Sequence, residues 1–439
     1  MIKNNNKITN ITLSPPPPGL PIYGRVDPAT VSFIGRTNYG FGLEEKKFIF
    51  GIKRNDRKYH LYTIGKGGVG KSKLLELLIR QDIVYDYGLI VIDESNYLIH
   101  NILDFIPKYK VNDVCLIDFN DKSTIAFNPF ANVDINFRNQ FVNDFIYLFK
   151  IYILKDNSST TIDNLLRFIL LSLFNYQSFN LESIIFFLKD ENFRKKVLSL
   201  TTDKILLKFW LEDFTDDYIN FNKGDINLII NSIYYLLSNN SIRKIFLDVI
   251  NKVNFDDLIS QKKIILVNLG MNSLEKNIAS FLGSLIILKL QETGLKRHKN
   301  LLKNNDFYIY VNNFNHLAND VFKNLIINSY DYGYKLNLAH QYLSQLSENW
   351  YSLLLSTIGN IIIFRLSGED AVKLRPEMFP VFDIKDMIGL GLREFYIKML
   401  IDNEIYEPFS AETLKILPAP HPSYARNIIQ ASHKKYNLL

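Results

Sequence analysis

An eight-residue loop, residues 65–72, constrains the fold of this chain more than any other segment. Its sequence, GKGGVGKS, satisfies every fixed position of the phosphate-binding pattern G-x-x-x-x-G-K-[ST], the Walker A loop. An apolar run typical of a strand, residues 60–64, precedes it, and a run with helical character, residues 74–79, follows it. A strand, a glycine-rich loop and a helix in this order predict an α/β fold with a nucleotide site.

Each residue type in the loop has a role toward a nucleoside triphosphate. The glycines let backbone N–H groups surround the β-phosphate, and the N-terminus of the following helix adds positive potential. Lys71 is expected to reach the β- and γ-phosphate oxygens, and Ser72 to hold Mg²⁺. The predicted cofactors are ATP and Mg²⁺, and the predicted cofactor-binding residues are Gly65, Lys66, Gly67, Gly68, Val69, Gly70, Lys71 and Ser72.

The composition is that of a large globular protein. Its 439 residues suggest two or three domains, and 47% hydrophobic with 22% charged residues is ordinary for this class. The single cysteine, Cys115, lies in an apolar run, which excludes an intrachain disulfide and predicts a buried side chain. The seven histidines form no ligand-spaced cluster with it, so no zinc site is predicted. No apolar stretch reaches about 18 residues, which predicts a cytoplasmic chain without an integral membrane span.

The net charge of +6 does not by itself establish a nucleic-acid partner. Basic residues are nevertheless concentrated in two places. Some precede the phosphate-binding loop and others lie near the C-terminus: Lys46, Lys47, Lys53, Arg54, Arg57 and Lys58, then Arg426, Lys434 and Lys435. Two interpretations remain open for them, a solvated basic surface and contact with a nucleic-acid backbone.

The pattern of apolar runs divides the chain into five parts. Residues 1–30 contain the segment SPPPPGLP and are predicted to be a proline-containing linker or brace. Strand-like runs that alternate with helical intervals predict a core with a mostly parallel sheet in residues 31–135 and 258–415. Helical spacing of apolar residues, as at 162–173, predicts an all-helical insert over 136–257. Residues 416–439 form a basic C-terminal tail.

Several segments together resemble a known family. HLYTIGKGGVGKSKLLELLIRQDI, GLIVIDESNYLIHNILDFIP, NDVCLIDFND, DFYIYVNNFNHLANDVF, KLNLAHQYLSQL and GNIIIFRLSGEDA occur in the order found in the motor domain of type IV secretion coupling proteins. These proteins are the TraD/TraG branch of the HerA/FtsK DNA-pumping ATPases, and the resemblance extends from about Thr30 to Leu414.

The resemblance implies a fold and a set of partners. The fold is a RecA-like P-loop NTPase core with a mostly parallel sheet and an inserted all-helical domain. The implied partners are DNA, a homo- or hetero-oligomeric ring such as a hexamer, and proteins of a secretion or conjugation apparatus. The implied location is the cytoplasm, with a peripheral position at the inner face of the membrane as an option.

The sequence departs from the family at its second nucleotide motif. In VNNFN, the family's acidic pair is replaced by Asn312 and Asn313. The family's aspartate holds the water shell of Mg²⁺, and its glutamate polarises the attacking water. Asn312 can still accept a hydrogen bond from a metal-bound water, but an amide such as that of Asn313 has no usable basicity near neutral pH. The degenerate pair therefore predicts feeble or absent hydrolysis.

A neighbouring segment offers a rival source of acids. LIVIDE, residues 89–94, has the form of a strand that ends in acids, so Asp93, as a metal ligand, or Glu94, as a catalytic group, is a candidate substitute. The alternative is that surface residues have replaced a helix-capping turn. The strand beside the loop strand is also expected to come later in the chain, which argues against the substitute.

Three further residues take candidate roles from the resemblance. Gln341 matches the family's glutamine at a strand end and is a candidate γ-phosphate sensor. Arg365 matches an arginine at a subunit boundary and is a candidate finger on a neighbour's nucleotide, with an ion pair to Glu369 or Asp370 as the alternative. His60 is expected to support the loop strand structurally.

Two functional classes stay open. The first is an ATP-dependent DNA translocase or coupling ATPase, and the second is a non-hydrolysing nucleotide-binding subunit that stabilises or regulates a ring. A ParA/MinD-type partitioning ATPase is a weaker alternative, because Lys66 and Gly67 fit its loop but no later segment matches its switch pattern.

Overall fold

The computed structural model describes residues 11–39, 47–121, 125–155, 157, 159–299 and 306–437. Contacts within the chain divide it into two compact units. The first consists of residues up to Cys115, Leu258–Val267 and Gly294–Ile428. The second consists of Leu116–Asp257, Asn268–Thr293 and the residues from Ile429 onward. These limits come from contacts alone, and the five-part division by sequence stays a prediction.

The first unit is built around a sheet of parallel and antiparallel strands. In the described ranges the strands are β1 (Val31–Thr37), β2 (Ile49–Lys53), β3 (Leu61–Ile64), β4 (Gly88–Asp93), β5 (Val114–Asp118), β6 (Ile264–Asn268), β7 (Phe307–Asn312), β8 (Tyr334–His340), β9 (Asn360–Ile363), β10 (Glu394–Lys398), β11 (Leu400–Ile401), β12 (Glu404–Ile405) and β13 (Phe409–Thr413). The sheet runs in the order β2-β1-β13-β10-β9-β3-β8-β7-β4-β6-β5, and β11 and β12 form a separate ribbon.

The centre of the sheet is parallel and fully buried. Strands β9, β3, β8, β7 and β4 pair in parallel, and every residue of these five strands is buried. Strands covered on both faces require continuous apolar runs, which explains why these segments were recognisable in the sequence. Strands β10, β13, β1 and β2 extend the sheet in antiparallel fashion. The predicted mostly parallel sheet is confirmed, with an antiparallel extension that the sequence did not reveal.

The described residues also form α-helices. They are α1 (Lys71–Val84), α2 (Tyr97–Phe105), α3 (Arg138–Phe149), α4 (Thr160–Leu173), α5 (Glu182–Lys189), α6 (Glu191–Leu198), α7 (Lys204–Lys208), α8 (Asp216–Phe221), α9 (Lys223–Ser238), α10 (Asn240–Leu247), α11 (Phe255–Ser260), α12 (Lys276–Lys299), α13 (Asp320–Asn328), α14 (Glu348–Thr357), α15 (Gly368–Met378), α16 (Ile384–Gly389) and α17 (Ala425–Tyr436).

The second unit is largely helical, as the spacing of its apolar residues indicated. In α4, the apolar residues of the predicted helix are buried in one stripe, and the Ser159 hydroxyl caps the helix by accepting from the backbone N–H of Ile162. Asp190 and Asp203 cap α6 and α7 in the same way. Capping residues and period-3.6 burial therefore account for these elements.

The basic cluster before the phosphate-binding loop does not form a basic surface at two of its residues. Arg54 and Arg57 are 3% and 2% exposed, and both pair with Asp82 on α1, at 2.5 and 2.8 Å. Arg57 also donates to the Tyr310 hydroxyl. Both interpretations of the cluster, a solvated surface and a nucleic-acid contact, are wrong for these two residues, because a buried arginine needs an internal partner. Lys46 lies outside the described residues.

Both ends of the described chain are tied down. The proline-rich segment acts as a brace, since Ser14 exchanges hydrogen bonds with Ser410 on β13 and Thr12 binds the carboxylate of Asp386. The segment predicted as a basic tail contains α17, on which Arg426, Lys434 and Lys435 are exposed. Cys115 is buried, as predicted.

One helix of the described residues, α12, is long and apolar enough to pass a length-and-composition test for a membrane span. The expectation that no apolar stretch reaches that length is therefore wrong. Its most apolar window is 94% buried in the fold, which is also what the core helix of a globular protein shows.

Candidate nucleotide-binding site

The phosphate-binding loop joins β3 to α1. Its glycines allow the tight path of the backbone, because Gly68 and Gly70 have φ values of +75° and +127°, which side-chain-bearing residues rarely adopt. Gly70 is the N-cap of the 14-residue helix α1, so the first backbone N–H groups of that helix lie at the loop. The strand, loop and helix predicted from the sequence are all present.

Lys71 is held inside the loop. Its Nζ donates to the carbonyl oxygens of Gly65 at 2.5 Å and Lys66 at 2.8 Å, and the residue is only 6% exposed. Burial lowers the pKa of Lys71 from its ordinary value to about 8. A bound phosphate would supply the negative charge that this buried ammonium lacks.

Parallel strands bring the predicted site residues to one edge of the sheet, since their carboxyl ends meet there. A cavity of about 290 Å³ lies at this edge. It is lined by Gly67, Gly68, Gly70, Lys71, Ser72, Lys73, Ser95, Tyr97, Asn312, Asn313 and Gln341. The loop, both amides and the glutamine therefore surround one space, although they come from three distant parts of the sequence.

Asn312 ends β7 and faces the loop. Its Oδ1 accepts a hydrogen bond from the Ser72 hydroxyl at 3.3 Å, and its Nδ2 donates to Asp93 Oδ1 at 3.0 Å. Asp93 is fully buried and also accepts from the backbone N–H of Leu98 in the first turn of α2. Burial raises the pKa of the Asp93 carboxyl, against the hydrogen bond from Asn312 that lowers it. Asp93 is thus enclosed in the fold, whereas Asn96 and Tyr97 of the same turn are exposed.

Asn313 follows in a left-handed conformation, with φ +56°, and its Nδ2 donates to Glu94 Oε1 at 2.6 Å. The other oxygen of Glu94, Oε2, lies 2.9 Å from His316 Nε2. Glu94 does not line the 290 Å³ cavity, whereas Asn313 does. The carboxylate of Glu94 therefore contacts Asn313, which lines the cavity, but does not line the cavity itself.

The donor set at the loop can be tested for Mg²⁺. Ser72 and Asn312 present a hydroxyl and an amide carbonyl oxygen, and hard oxygen ligands of this kind suit Mg²⁺, which keeps several of its waters. Neither is charged, and Asp93 lies behind the amide. Among the described residues no group of three or more acidic, histidine or cysteine side chains is placed to hold a metal ion alone. The residues fit a magnesium ion that arrives with the nucleotide phosphates.

Gln341 and Arg365 occupy the ends of the two strands beside β3. Gln341 directly follows β8 and lines the cavity. Arg365 follows β9, and its carbonyl oxygen accepts from the backbone N–H of Lys66, while its side chain is exposed. Glu369 pairs with Lys373, and Asp370 binds Ser367, so within the described ranges the alternative ion pair of Arg365 is absent. Both neighbours of β3 come later in the chain, as expected.

His60 supports the strand before the loop, as predicted. Its Nδ1 accepts from the backbone N–H of Leu336, and its Nε2 lies 2.8 Å from the Ser329 hydroxyl, whose hydrogen goes to the Ile326 carbonyl. Nε2 must therefore carry the proton. Burial lowers the pKa of His60 to about 4, so the ring is neutral in the fold.

A second cavity, which sequence reasoning missed, also adjoins the loop. Its volume is about 630 Å³ and it shares Gly68, Gly70 and Lys73 with the first cavity. Arg80, Arg393 and the segment 413–418, which includes Leu417 and Pro418, form most of its remaining wall. The segment EPFSAETL belongs to the resembling region, but no motif in it indicates a ligand.

Comparisons with solved structures agree with this geometry. The conjugative coupling protein TrwB, in an unbound form, matches with a TM-score of 0.57 and 11% identity over 85% of this chain and 89% of that chain. TrwB with a non-hydrolysable ATP analogue matches with a TM-score of 0.58 and 10% identity, over 85% and 89%. This chain has the coupling-protein fold. VirB4 of Thermoanaerobacter pseudethanolicus shares the fold, with a TM-score of 0.55 and 12% identity over 81% and 89%.

The comparison of structures detects the coupling-protein fold, whereas comparisons of the whole sequence do not. No protein-family model and no curated protein sequence matches the chain. TrwB has also been determined with ADP and Mg²⁺, at 12% identity to this chain. At such identities the likeness establishes the fold alone.

Proposed function

We propose that this chain is a nucleotide-binding subunit of a DNA-handling ring that belongs to a secretion or conjugation apparatus, and that it hydrolyses ATP feebly or not at all. The observation that carries the proposal is the 290 Å³ cavity, in which a complete phosphate-binding loop faces two amides instead of two acids.

Binding is supported by the geometry of the loop. Lys71 already lies among the loop carbonyls, and the N-terminus of α1 points its free N–H groups at the same place. The 290 Å³ cavity would receive the triphosphate, and Ser72 and Asn312 would hold its Mg²⁺. The 630 Å³ cavity would receive the nucleoside, since its wall includes the apolar side chains of Leu417 and Pro418.

Weak hydrolysis follows from the amides. Asn313 occupies the place of the family's water-polarising glutamate, and it cannot accept a proton near neutral pH. Loss of a general base typically costs about 10²–10⁴-fold in rate. Gln341, at the end of β8, remains available to contact the γ-phosphate, and the exposed Arg365 remains available to a neighbouring subunit in a ring.

An ATP-dependent DNA translocase is the alternative function. DNA binding alone does not distinguish it from the proposed non-hydrolysing subunit. Residues 136–257 contain 14 lysines and arginines against 15 aspartates and glutamates, so the helical segment carries no excess of positive charge. The proposal of a DNA partner therefore rests on the coupling-protein fold and on the exposed basic residues of α17.

Thermal unfolding with and without nucleotide tests the proposed binding. Mg-ATP or Mg-ADP should raise the unfolding midpoint of the unmodified chain, because a ligand that binds only the native state stabilises it. The variant Lys71→Ala should lose this shift, whereas Lys195→Ala, a change in an exposed pair with Glu191 on α6, should keep it. Equal stabilisation of the unmodified chain and Lys71→Ala would show that the loop is not the phosphate site.

A further inference from the structure

Strands β4 and β7 carry a matched set of acids and amides at their ends. In the parallel register Ile92 pairs with Val311, so the next residues fall side by side: Asp93 beside Asn312, and Glu94 beside Asn313. The side chains follow the same pairing, with N–O distances of 3.0 Å for the first pair and 2.6 Å for the second. Each amide at the end of β7 therefore binds the acid that lies beside it at the end of β4.

These hydrogen bonds fix which end of each amide faces the carboxylate. An ionised carboxylate only accepts hydrogen bonds, so the NH₂ group of the amide must point toward it. The Oδ1 of Asn312 is consequently left on the opposite side, where it lies 3.3 Å from the Ser72 hydroxyl. The acid behind the amide thus determines that an oxygen, and not an NH₂ group, faces the magnesium position.

We propose that Asp93 and Glu94 are positioning residues that turn the carbonyl oxygens of Asn312 and Asn313 toward Mg²⁺ and the nucleotide. The identity of the ligand rests on the proposed function. An amide oxygen accepts a hydrogen bond from a metal-bound water but contributes no charge, so this site holds Mg²⁺ more weakly than one with an acid at residue 312.

The buried carboxylate of Asp93 affects attempts to restore the family's acids. In Asn312→Asp, the new carboxylate would lie against that of Asp93, which is fully buried. Two carboxylates that share a buried site cannot both ionise readily, so one remains protonated or the site distorts. Exchanging both residues, as Asp93→Asn with Asn312→Asp, keeps one acid and one amide and turns the charge toward Ser72.

A double-mutant cycle over Asp93→Asn and Asn312→Asp tests the proposal with two measurements, the ligand-free unfolding midpoint and the Mg²⁺ concentration that gives half of the ATP-dependent rise in midpoint. Asn312→Asp alone should lower the ligand-free midpoint, and the exchanged pair should recover it. The exchanged pair should also need about tenfold less Mg²⁺ than the unmodified chain. The carboxylate at residue 312 adds a charge interaction with Mg²⁺, and an interaction equal to one pKa unit changes a binding constant about tenfold. Asp93→Asn alone should need more, because Asn312 is then free to turn.

A second double-mutant cycle, Glu94→Gln with Asn313→Glu, repeats the test at the other pair. The Glu94 side chain is 19% exposed, so a second carboxylate costs less there than beside the buried Asp93. The matched control is Asn268→Asp beside Asp118, an amide and acid 2.9 Å apart in the second unit, which should lower the ligand-free midpoint without changing the Mg²⁺ requirement.

Additive effects in both cycles would overturn the proposal, as would Asn312→Asp that keeps a normal midpoint and binds Mg²⁺ as tightly as the exchanged pair. If Mg-ATP fails to stabilise the unmodified chain, the proposed function fails, but the ligand-free midpoints still decide whether the acids position the amides.

Discussion

At the scale of single residues, Lys71 links the structure of the loop to a measurable property of binding. Its pKa is lowered to about 8 by burial, and phosphate oxygens beside the ammonium should raise that pKa again. The free chain therefore loses the charge of Lys71 as the pH rises through about 8, whereas the nucleotide-bound chain keeps it to higher pH. Binding is coupled to the uptake of a proton in this range.

We therefore expect nucleotide affinity to fall as the pH rises above about 8, by at most tenfold per pH unit, with proton uptake on binding. Titration calorimetry in buffers of different ionisation enthalpy measures this uptake. Lys73→Ala, which changes a neighbouring lysine at the cavity, should leave the uptake in place. Affinity and proton uptake that do not change between pH 7.5 and 9.5 would contradict the role assigned to Lys71.

At the scale of elements, His60 holds the start of β3. Its backbone has φ +64° and ψ 171°, a combination that residues other than glycine rarely adopt, and hydrogen bonds on both sides of the ring retain it. The lowered pKa, about 4, means that the fold requires a neutral ring. Stability from the neutral ring is complete above the unfolded pKa of about 6.5 and is lost as the pH falls toward 4.

His60→Asn should therefore lower the free energy of unfolding at pH 7.5 by about 2–4 kcal/mol, because a buried ring and its hydrogen bonds are lost. It should also flatten the loss of stability between pH 6.5 and 4.5, where the unmodified chain loses up to about 1.4 kcal/mol per pH unit from this residue. Denaturant unfolding at several pH values measures both. If the free energy of unfolding changed with pH in the same way in both chains, the neutral state assigned to the His60 ring would be refuted.

The same elements show what the sequence can predict. The buried parallel strands were identified because strands covered on both faces need uninterrupted apolar runs, as in β4 and β7. Strand β13 was missed, because FSAET has no such run and its position depends on pairing with β10 and β1. The phosphate-binding loop was identified because its chemistry is local. The contacts of Asn312 with Asp93 were not predicted, because the order of strands in the sheet decides which ends are neighbours.

At the scale of the whole molecule, the coupling-protein fold raises the question of DNA. Arg54 and Arg57, which looked available in the sequence, are occupied by Asp82, so the remaining candidates are exposed residues such as Arg426, Lys434 and Lys435 on α17. Contacts of lysine and arginine with phosphates release counterions and make affinity strongly dependent on salt.

If the chain binds DNA, binding should be independent of sequence and weaken steeply as salt rises. Replacing the three α17 residues by alanine should reduce the slope of log affinity against log salt by up to about 3 units, in proportion to the phosphates contacted. Fluorescence anisotropy with single- and double-stranded DNA measures the slope, with Lys195→Ala as an exposed control on α6. No retention on either DNA at low salt would favour a ring component that contacts only proteins.

The central claim is that the site binds Mg-nucleotide but lacks the group that activates water, and single-turnover hydrolysis tests it most directly. With enzyme in excess over labelled ATP, bound ATP should be released intact many times for each phosphate formed, and the trace of phosphate should depend on Lys71. Rapid conversion of bound ATP to ADP by the unmodified chain, abolished by Lys71→Ala, would contradict the account.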